Sequence, residues 1–211
     1  MGFLLGIWHV AHTVALSAQP APARTLQQEH AGQIITAAGN PPTLRGDGWL
    51  VAPADPPVAI ATADCVPVVV ATITGACVLH VSRHTLLAGI VAQALQLLAP
   101  QKISGVYIGP HICPDHFLFE YAGPGIITFK QRYPAVCTTT PRGVKISLLT
   151  AVQQELVGVL RAGSVSPRID QRCTYETPAL PSYRRWLEHK KQGALPRLYT
   201  IVTARPMTDK A

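Results

Sequence analysis

The chain has 211 residues, of which 48% are hydrophobic and only 14% are charged. This composition excludes an intrinsically disordered chain, and the length suffices to bury a core without disulfides. The net charge of +7 comes mostly from scattered basic residues, without the basic stripe and interleaved aromatic residues of nucleic-acid-binding proteins. The length fits one large domain or two small ones, and we expect a single domain over residues 1–211. The charge fits a protein that binds phosphate-bearing or other anionic small molecules, with neither nucleic acid nor membrane as a partner.

The N-terminal segment is the first predicted element. No charged side chain precedes Arg24, but His9, His12 and Ser17 interrupt the apolar run, and the basic start of a signal peptide is missing. We interpret the segment as a first strand that feeds a sheet, with a signal peptide as the alternative. No stretch reaches the roughly 20 apolar residues that a membrane-spanning helix needs.

Short β-rich runs, mostly of valine, isoleucine, alanine and threonine, recur along the chain. They cover Gln33–Ala37, Val58–Thr62, Val66–Ile73, Ala76–Val81, Gly105–Ile108 and Leu198–Val202. Thr74-Gly75 would join two of these runs in a hairpin.

Two amphipathic helices are predicted, over Thr85–Leu98 and about Leu148–Ala162, because apolar residues recur there at helical spacing. Pro100 and Gly163 would end them. A third helix is predicted over Pro124–Arg132. Many strands with few helices indicate an α+β fold of layered sheets, without the regular alternation of a doubly wound fold.

The sequence lacks the motifs of P-loop proteins, Rossmann dinucleotide-binding proteins, zincin metalloproteases and α/β-hydrolases. Any chemistry therefore depends on histidines and cysteines. The cysteines are odd in number and form no C-x-x-C pair, which favours reduced thiols in a cytoplasmic protein over a disulfide framework. They are Cys65, Cys77, Cys113, Cys137 and Cys173.

Three residues of metal-binding type lie beside predicted strands. Cys65 lies between two strands, His80 ends a strand just before a helix, and His30 lies in a polar stretch before another strand. One thiolate and two imidazoles would leave the fourth position of a zinc ion open, as in catalytic zinc sites. Taken one by one, these residues are also typical of a buried cysteine, a core histidine and a surface histidine. The spacing alone leaves both interpretations open.

Two further segments contain residues that bind ions in other proteins. Cys113-x-x-His116, which follows His111, resembles half of a metal site, but we find no matching second half and interpret the segment as a turn that lines the pocket. Arg184 and Arg185 could clamp a phosphate or a carboxylate; a solvated or salt-bridged basic pair is the alternative.

Several segments match a set of motifs in the same order. Ala61–Val68 is similar to R-T-A-D-C-x-P-V, which is the most specific of the set. The other pairs are Gln28–Ala31 with Q-V-H-G, Gly46–Val51 with D-[AG]-L-V-T, His80–Thr85 with H-A-G-W-R-G, Tyr107–Pro110 with x-I-G-P, Cys173-Thr174 with C-T, and Ser182–Arg185 with S-[YFH]-R-R. Over most of its length the chain therefore resembles the laccase-domain family, the bacterial "polyphenol oxidase" or purine nucleoside phosphorylase group.

The resemblance implies a four-layer α/β/β/α sandwich with mixed sheets, related to cysteine deamidase toxins. It implies a site in which His30, Cys65 and His80 are both metal ligands and catalytic residues, and in which the metal is usually zinc and sometimes described as copper. Family members are described as purine nucleoside phosphorylases with adenosine deaminase activity, and earlier as laccases.

On this basis we expect an enzyme that cleaves a purine nucleoside such as adenosine or inosine with phosphate. Arg83, His84 and Arg185 are the candidates for binding phosphate or substrate. His84 takes the place of an arginine in the family motif and would supply positive charge only when protonated. The oligomeric state is left open by the sequence.

The family pattern is not complete. Ser82 and Thr85 replace glycines of the motif after His80, Ser147 replaces an aspartate, and the family's N-terminal glycine-rich turn has no counterpart before Gln27. Two alternatives therefore stay open: a copper-dependent phenol oxidase, and a non-catalytic member that acts as a binding protein. The first is weaker, because four-electron reduction of oxygen generally requires several metals.

Overall fold

The computed structural model of the protein describes residues 2–15, 23–39, 44–99, 101–120, 123–161, 165–190 and 192–205. The strands in these ranges are β1 (Gly2–Leu5), β2 (Trp8–Ala15), β3 (Arg24–Thr25), β4 (Ile34–Thr36), β5 (Gly48–Val51), β6 (Val58–Thr62), β7 (Val66–Ala71), β8 (Ala76–Val81), β9 (Gly105–Ile108), β10 (Leu118–Phe119), β11 (Cys137–Thr140), β12 (Gly143–Ile146), β13 (Arg168–Ile169) and β14 (Arg197–Ala204). The helices are α1 (Arg83–Leu87), α2 (Ile90–Leu98), α3 (Pro124–Arg132), α4 (Leu148–Glu155), α5 (Val157–Arg161) and α6 (Tyr183–Glu188). Every predicted strand is present, and β6, β8 and β9 have the predicted bounds.

The N-terminal strands belong to a five-stranded sheet with the order β1-β2-β14-β6-β3. β1 and β2 form a hairpin, and β2 pairs along its whole length with β14. Gly6 adopts a left-handed conformation (φ 64°) in the turn, which glycine tolerates best. The predicted N-terminal strand is therefore confirmed, but as two strands.

A six-stranded sheet has the order β13-β9-β7-β8-β5-β4. β7 and β8 form the predicted antiparallel hairpin, in which the backbone N–H of Thr72 donates to the carbonyl of Gly75 (2.8 Å). All residues of these two strands are buried, because the sheet is covered on both faces. Burial on both faces explains why their sequences are nearly continuous apolar runs without polar alternation.

A hydrophobic core lies on each face of the six-stranded sheet. The core shared with the five-stranded sheet includes Trp8, Trp49 and Val202. The core shared with the helices includes Ile90 and Phe129. The stacking order is helices, six-stranded sheet and five-stranded sheet. The chain crosses from the five-stranded to the six-stranded sheet between β6 and β7.

The predicted helix Thr85–Leu98 is divided into α1 and α2. Gly89 adopts a left-handed conformation (φ 77°), which a continuous helix cannot contain. α1 begins after Ser82, whose hydroxyl oxygen accepts from the backbone N–H of Thr85.

The second predicted helix is likewise divided, at Leu156, into α4 and α5, and its predicted last residue, Ala162, lies outside the described residues. α3 has the predicted bounds. A small third sheet, β10-β12-β11, completes the described elements. The predicted α+β fold with mixed sheets is confirmed. None of the helices in the described ranges combines the length and hydrophobicity required to span a membrane.

Candidate metal centre and its cleft

His30, Cys65 and His80 are distant in sequence and adjacent in the structure. A ring nitrogen of each histidine and the sulfur of Cys65 all lie within 4.8 Å of one another. The two imidazole rings meet edge to face, with centroids 4.7 Å apart and an interplanar angle of 84°. His80 is buried, Cys65 is half-buried and His30 is exposed, so the cluster is open on the His30 side.

The two sheets position Cys65 and His80. Cys65 lies where the chain leaves β6 in one sheet and enters β7 in the other. His80 lies in β8 directly opposite Pro67 of β7. Because the hairpin fixes the strand register, His80 is held beside the start of β7, where Cys65 precedes it.

The turn that contains His30 is held by a buried carboxylate. His30 adopts a left-handed backbone conformation (φ 61°), which is uncommon outside glycine. The Asp47 carboxylate accepts from the backbone N–H groups of His30 (2.9 Å), Ala31 (2.7 Å) and Gly32 (2.9 Å). A Cβ atom on Gly32 would lie 2.7 Å from the Cβ of Ala88, so the turn requires glycine there.

Asp47 also orients His80. Its Oδ1 lies 2.9 Å from Nδ1 of His80, and its carbonyl accepts from the backbone N–H of His80 (2.7 Å). Burial opposes ionisation of this carboxyl, but hydrogen bonds from His80 and from the His30 turn outweigh burial and lower the pKa of Asp47 to about 2. With Nδ1 engaged, Nε2 is the nitrogen of His80 that is available to an ion, as in metal-bound histidines oriented by a carboxylate.

Cys65 and His80 shift each other's pKa. Burial disfavours the charged form of each group. Attraction between thiolate and imidazolium, together with hydrogen bonds from His30 to Cys65 and between His80 and Asp47, nevertheless lowers the pKa of Cys65 and raises that of His80. The site therefore favours the thiolate, the form of cysteine that binds metal ions.

These donors fit a metal ion. Thiolate and imidazole are ligands of both zinc and copper. Three protein ligands leave one position of a tetrahedral ion for water or substrate, and the exposed side at His30 gives access to it. The predicted ligand set is thus a candidate metal centre.

A cleft of about 920 Å³ opens beside Cys65 and His30, which is the size of a typical small-molecule site. Its lining includes four aromatic side chains, those of Phe117, Phe119, Tyr175 and Tyr183. Its charged lining residues are Arg83, Arg142, Arg184, Asp64, Asp115, Glu120 and Glu188. A second cavity of about 540 Å³ also contains His30 and Cys65 and reaches His80.

Arg83 and His84 both line the cleft, but only Arg83 is cationic there. Nη1 of Arg83 donates to the carbonyl of Gly125 (2.8 Å), and Nη2 lies 2.8 Å from Nε2 of His84. Because a guanidinium can only donate, Nε2 of His84 accepts and carries no proton. Burial, Arg83 and His30 all lower the pKa of His84. The lowered pKa makes protonation of His84 less favourable, so Arg83 carries the positive charge in this arrangement. That His84 supplies charge when it is protonated stays a prediction.

Arg185 is the predicted phosphate-binding residue that the structure does not bring into the cleft. Its guanidinium donates to the carbonyls of Thr174 (2.9 Å) and Leu180 (2.5 Å). Its neighbour Arg184 lines the cleft and donates to the carbonyl of Leu118 (3.1 Å). The two arginines differ because consecutive residues of a helix point about 100° apart.

Arg83 and Arg184 flank one aromatic ring of the cleft. Their guanidinium carbons lie 5.8 Å and 5.4 Å from the ring centroid of Phe119. Cation–π contacts of this length hold guanidinium groups without neutralising them. The pair therefore forms a cationic rim at the cleft.

Asp64, the residue before Cys65, ties the metal centre to the wall of the cleft. Its carboxylate accepts from the hydroxyl of Thr174 (2.7 Å) and from the backbone N–H of Arg184 (2.7 Å), and its carbonyl accepts from the N–H of Ile112 (3.0 Å). Asp64 adopts a left-handed conformation (φ 89°) to make these contacts.

The sequence analysis assigned no role to Asp47 or Asp64. Both are buried, although aspartate is rarely buried without partners. For Asp47 the available signal was its position between Gly46 and Gly48 at the start of an apolar strand. The aromatic wall of the cleft, formed by Phe117, Phe119, Tyr175 and Tyr183, carried no such signal, because it combines two segments that are far apart in sequence. As predicted, the turn after Cys113 lines the cleft, through Asp115 and His116.

Comparison with known proteins identifies the family and the fold of the chain. Residues 9–203 match the family model described as "Multi-copper polyphenol oxidoreductase laccase". Similar solved structures include the hypothetical protein YfiH of Bacillus licheniformis, with 18% identity, a TM-score of 0.70 and coverage of 85% of this chain and 73% of that chain. YlmD of Geobacillus stearothermophilus has 22% identity, a TM-score of 0.69 and coverage of 86% and 73%.

Protein NMB0706 of Neisseria meningitidis has 22% identity, a TM-score of 0.69 and coverage of 87% of this chain and 75% of that chain. At these identities the three structures show a shared fold. No curated protein matches the sequence significantly. Because the family model covers nearly the whole chain, the protein belongs to the multi-copper polyphenol oxidoreductase laccase family.

Proposed function

We propose that the protein is a metal-dependent purine nucleoside phosphorylase that converts adenosine or inosine and phosphate into free base and ribose 1-phosphate. The observation that carries the proposal is the convergence of His30, Cys65 and His80 beside a cleft with a cationic rim and an aromatic wall. The same centre would support deamination of adenosine as a second activity.

His30, Cys65 and His80 would hold the ion, and we propose zinc because two imidazoles and one thiolate with an open position are a catalytic zinc arrangement. A bound ion would act as a Lewis acid on an oxygen atom or lower the pKa of a water molecule. The contribution of the chain is orientation: Asp47 fixes the His80 ring and the His30 turn together.

Arg83 and Arg184 are the proposed phosphate-binding residues, in place of Arg185. Guanidinium groups bind phosphate oxygens in a fork geometry and stay charged at any working pH. In the described part of the chain neither guanidinium forms a salt bridge with a carboxylate, although Asp64, Asp115, Glu120 and Glu188 also line the cleft. The charge of the arginine rim therefore remains available to an anion.

Tyr183 is the proposed platform for the purine. Its side chain is 45% exposed and lines both the cleft and the second cavity, so it borders the metal centre from two sides. Phe117 adds a second aromatic surface. Aromatic faces stack on any purine, which suits both adenosine and inosine.

The proposed reaction is a substitution at C1′ of the ribose. A phosphate oxygen forms the new bond to C1′ while the bond from C1′ to N9 breaks, and its electron pair leaves with the purine, which gains a proton. Positive charge develops on the ribose in the transition state, so phosphate held by Arg83 and Arg184 would stabilise it electrostatically. The cytoplasm is the proposed location, since all five cysteines are free thiols.

The test is a chromatographic assay of the zinc-loaded protein with adenosine and with inosine, each with and without phosphate. We expect adenine and hypoxanthine to be released only with phosphate, with ribose 1-phosphate formed in equal amounts. Release of inosine from adenosine without phosphate would report the deaminase activity. Cys65→Ala should abolish both, whereas Cys137→Ser, a half-buried cysteine outside the cleft lining, should leave both unchanged.

Two outcomes would contradict the proposal. Oxygen consumption with a phenol by the copper-loaded protein, with no release of base, would indicate the phenol oxidase. Binding of nucleoside without turnover in either metal form would indicate a binding protein.

A further inference from the structure

Two cysteines outside the candidate metal centre, Cys113 and Cys173, lie together on two segments that run side by side, next to residues that line the cleft. His111 and Cys173 form an isolated parallel bridge, in which the N–H of Thr174 donates to the carbonyl of His111 (3.0 Å). The backbone N–H of Cys113 then donates to the sulfur of Cys173 (3.2 Å). An N–H that donates to sulfur stabilises a thiolate and is common around metal-bound cysteines.

Each of these cysteines begins a tight turn that returns the chain toward it. The carbonyl of Cys113 accepts from the N–H of Phe117 (3.0 Å), and that of Cys173 accepts in the same way from the N–H of Thr177 (2.9 Å), in each case from the residue four positions on. The segment Cys113-x-x-His116 therefore has a structural counterpart in Cys173-x-x-Glu176. The sequence analysis found no second half for this motif, because that half ends in glutamate and lies in a distant segment.

The side-chain atoms of this second cluster are spaced as metal ligands. The two sulfurs and a carboxylate oxygen of Glu176 all lie within 4.8 Å of one another, with 3.8 Å from the Cys113 sulfur to Oε1. Nε2 of His116 lies 3.1 Å from the same oxygen. A tetrahedral zinc ion with bonds of about 2.0–2.3 Å holds its ligand atoms about 3.3–3.8 Å apart. The observed spacing requires only small side-chain adjustments.

We propose that Cys113, Cys173 and Glu176 form a second metal site, which binds Zn²⁺ or another thiophilic divalent ion, with His116 as the hydrogen-bond partner that orients the Glu176 carboxylate. Cys173 is buried and Glu176 is exposed, so the ion has access from solvent and a fixed inner ligand. Two thiolates select a soft or borderline ion over magnesium or calcium. The proposal of this site rests on the geometry of its own side chains and does not require the proposed nucleoside chemistry.

A bound ion would act on the shape of the cleft. The two turns it joins carry His116 and Tyr175, which line the cleft and stack with ring centroids 3.9 Å apart. Cross-linking the turns would hold this stacked pair in place. We therefore assign the second site a structural role at the wall of the nucleoside cleft.

The experiment counts bound metal in four proteins saturated with Zn²⁺ alone and freed of loosely bound ion by gel filtration. We expect two equivalents per chain in the wild type and in Cys137→Ser. We expect one equivalent in Cys65→Ala, which retains the second site. In the double variant Cys65→Ala with Cys113→Ser we expect none.

Cobalt substitution identifies the ligands. Cys65→Ala loaded with Co²⁺ should show thiolate-to-metal charge-transfer absorption in the near ultraviolet, and Glu176→Gln in that background should bind Co²⁺ at least tenfold more weakly. Glu176 is exposed, so this variant keeps the fold even if substitution of buried Cys173 does not.

Either of two results would overturn the proposal: no metal in folded Cys65→Ala, or one equivalent in that variant that survives Cys113→Ser. A Cys113–Cys173 disulfide in place of the ion, detected as a loss of two hydrogens in the intact mass, would also overturn it. Absence of phosphorolysis would leave the metal count unchanged, so the two proposals fail separately.

Discussion

Asp47 binds His80 twice, through its carboxylate to Nδ1 of the ring (2.9 Å) and through its carbonyl to the backbone N–H (2.7 Å). The same carboxylate caps the turn of His30. One buried residue therefore sets the positions of two of the three candidate ligands. Together with the Cys65 thiolate, Asp47 also raises the pKa of His80 despite its burial.

Asp47→Asn should weaken zinc binding at the centre by about 10–100-fold, because loss of a partner that orients a histidine ligand has this effect. The amide would also turn an N–H toward one of the donors that now face Asp47. Affinity is measured by competition with a chromophoric chelator in a Cys113→Ser background, so that only the first site is counted. Asp55→Asn is the control, since that carboxylate caps Ala52 in a remote turn (2.7 Å). Equal affinity in both variants would show that Asp47 does not position the ligands.

Arg184→Ala and Arg185→Ala form a matched pair of adjacent substitutions. A charged hydrogen bond to phosphate contributes about 2–3 kcal/mol, so Arg184→Ala should lower kcat/KM for phosphate roughly 30–150-fold. Arg185→Ala should leave KM for phosphate unchanged but lower the free energy of unfolding by about 2 kcal/mol, because backbone carbonyls such as that of Thr174 lose their donor. Steady-state kinetics and urea unfolding separate the two effects. The reverse pattern would return Arg185 to the phosphate site.

Asp64→Ala should destabilise the fold by about 2–4 kcal/mol. It removes the acceptor of the Thr174 hydroxyl and of the Arg184 N–H, and it places alanine in a left-handed conformation. Asp64→Asn keeps one oxygen and tolerates that conformation, so we expect about half the loss. Urea denaturation of both variants tests this order. If the two variants were equally stable, the carboxylate would have no anchoring role.

His12 makes the stability of the sheet sandwich depend on pH. Its ring nitrogens contact the hydroxyls of Tyr107 (2.7 Å) and Thr200 (3.1 Å), and burial lowers its pKa from 6.5 to about 4. Because the folded state favours neutral His12, the unfolded state binds more protons below pH 6.5. The contribution of His12 to the free energy of unfolding is therefore fully present above pH 6.5. It is lost as the pH falls toward 4, by up to about 2–3 kcal/mol.

His12→Gln should remove that part of the pH dependence, because glutamine stays neutral. The measurement compares the free energy of unfolding at pH 7.0 and at pH 4.5 in the variant and the wild type. Carboxylates such as Asp47 add their own acid sensitivity to both proteins, and the difference between the two isolates His12. If the variant and the wild type lost the same free energy of unfolding between pH 7.0 and pH 4.5, His12 would be protonated as readily in the folded protein as in the unfolded chain.

Local sequence patterns were sufficient for the elements that a buried sheet requires. β7 and β8 are apolar over their whole length, so their positions and the hairpin between them follow from residue type and turn chemistry. Helix ends were harder to predict. The left-handed conformation at Gly89, which divides α1 from α2, depends on the fold and leaves the apolar periodicity intact.

The three candidate ligands could be named from the sequence, because motif order carries information that spacing does not. The motifs could not indicate which way each side chain points in the folded protein. Arg184 and Arg185 are the same residue type in adjacent positions, and only the helix that contains them decides that one lines the cleft and the other binds backbone carbonyls.

The sequence by itself determined the fold class, the family and the three residues of the candidate metal centre, since each depends on residue types within short segments. Only the tertiary structure decided which residues the carboxylates of Asp47 and Glu176 contact. Asp47 lies 33 residues from His80, and Glu176 lies 63 from Cys113. The first contact comes from the pairing of β5 with β8 within one sheet, and the second from the isolated bridge between His111 and Cys173. Buried hydrogen-bonding groups must find partners wherever the fold brings them.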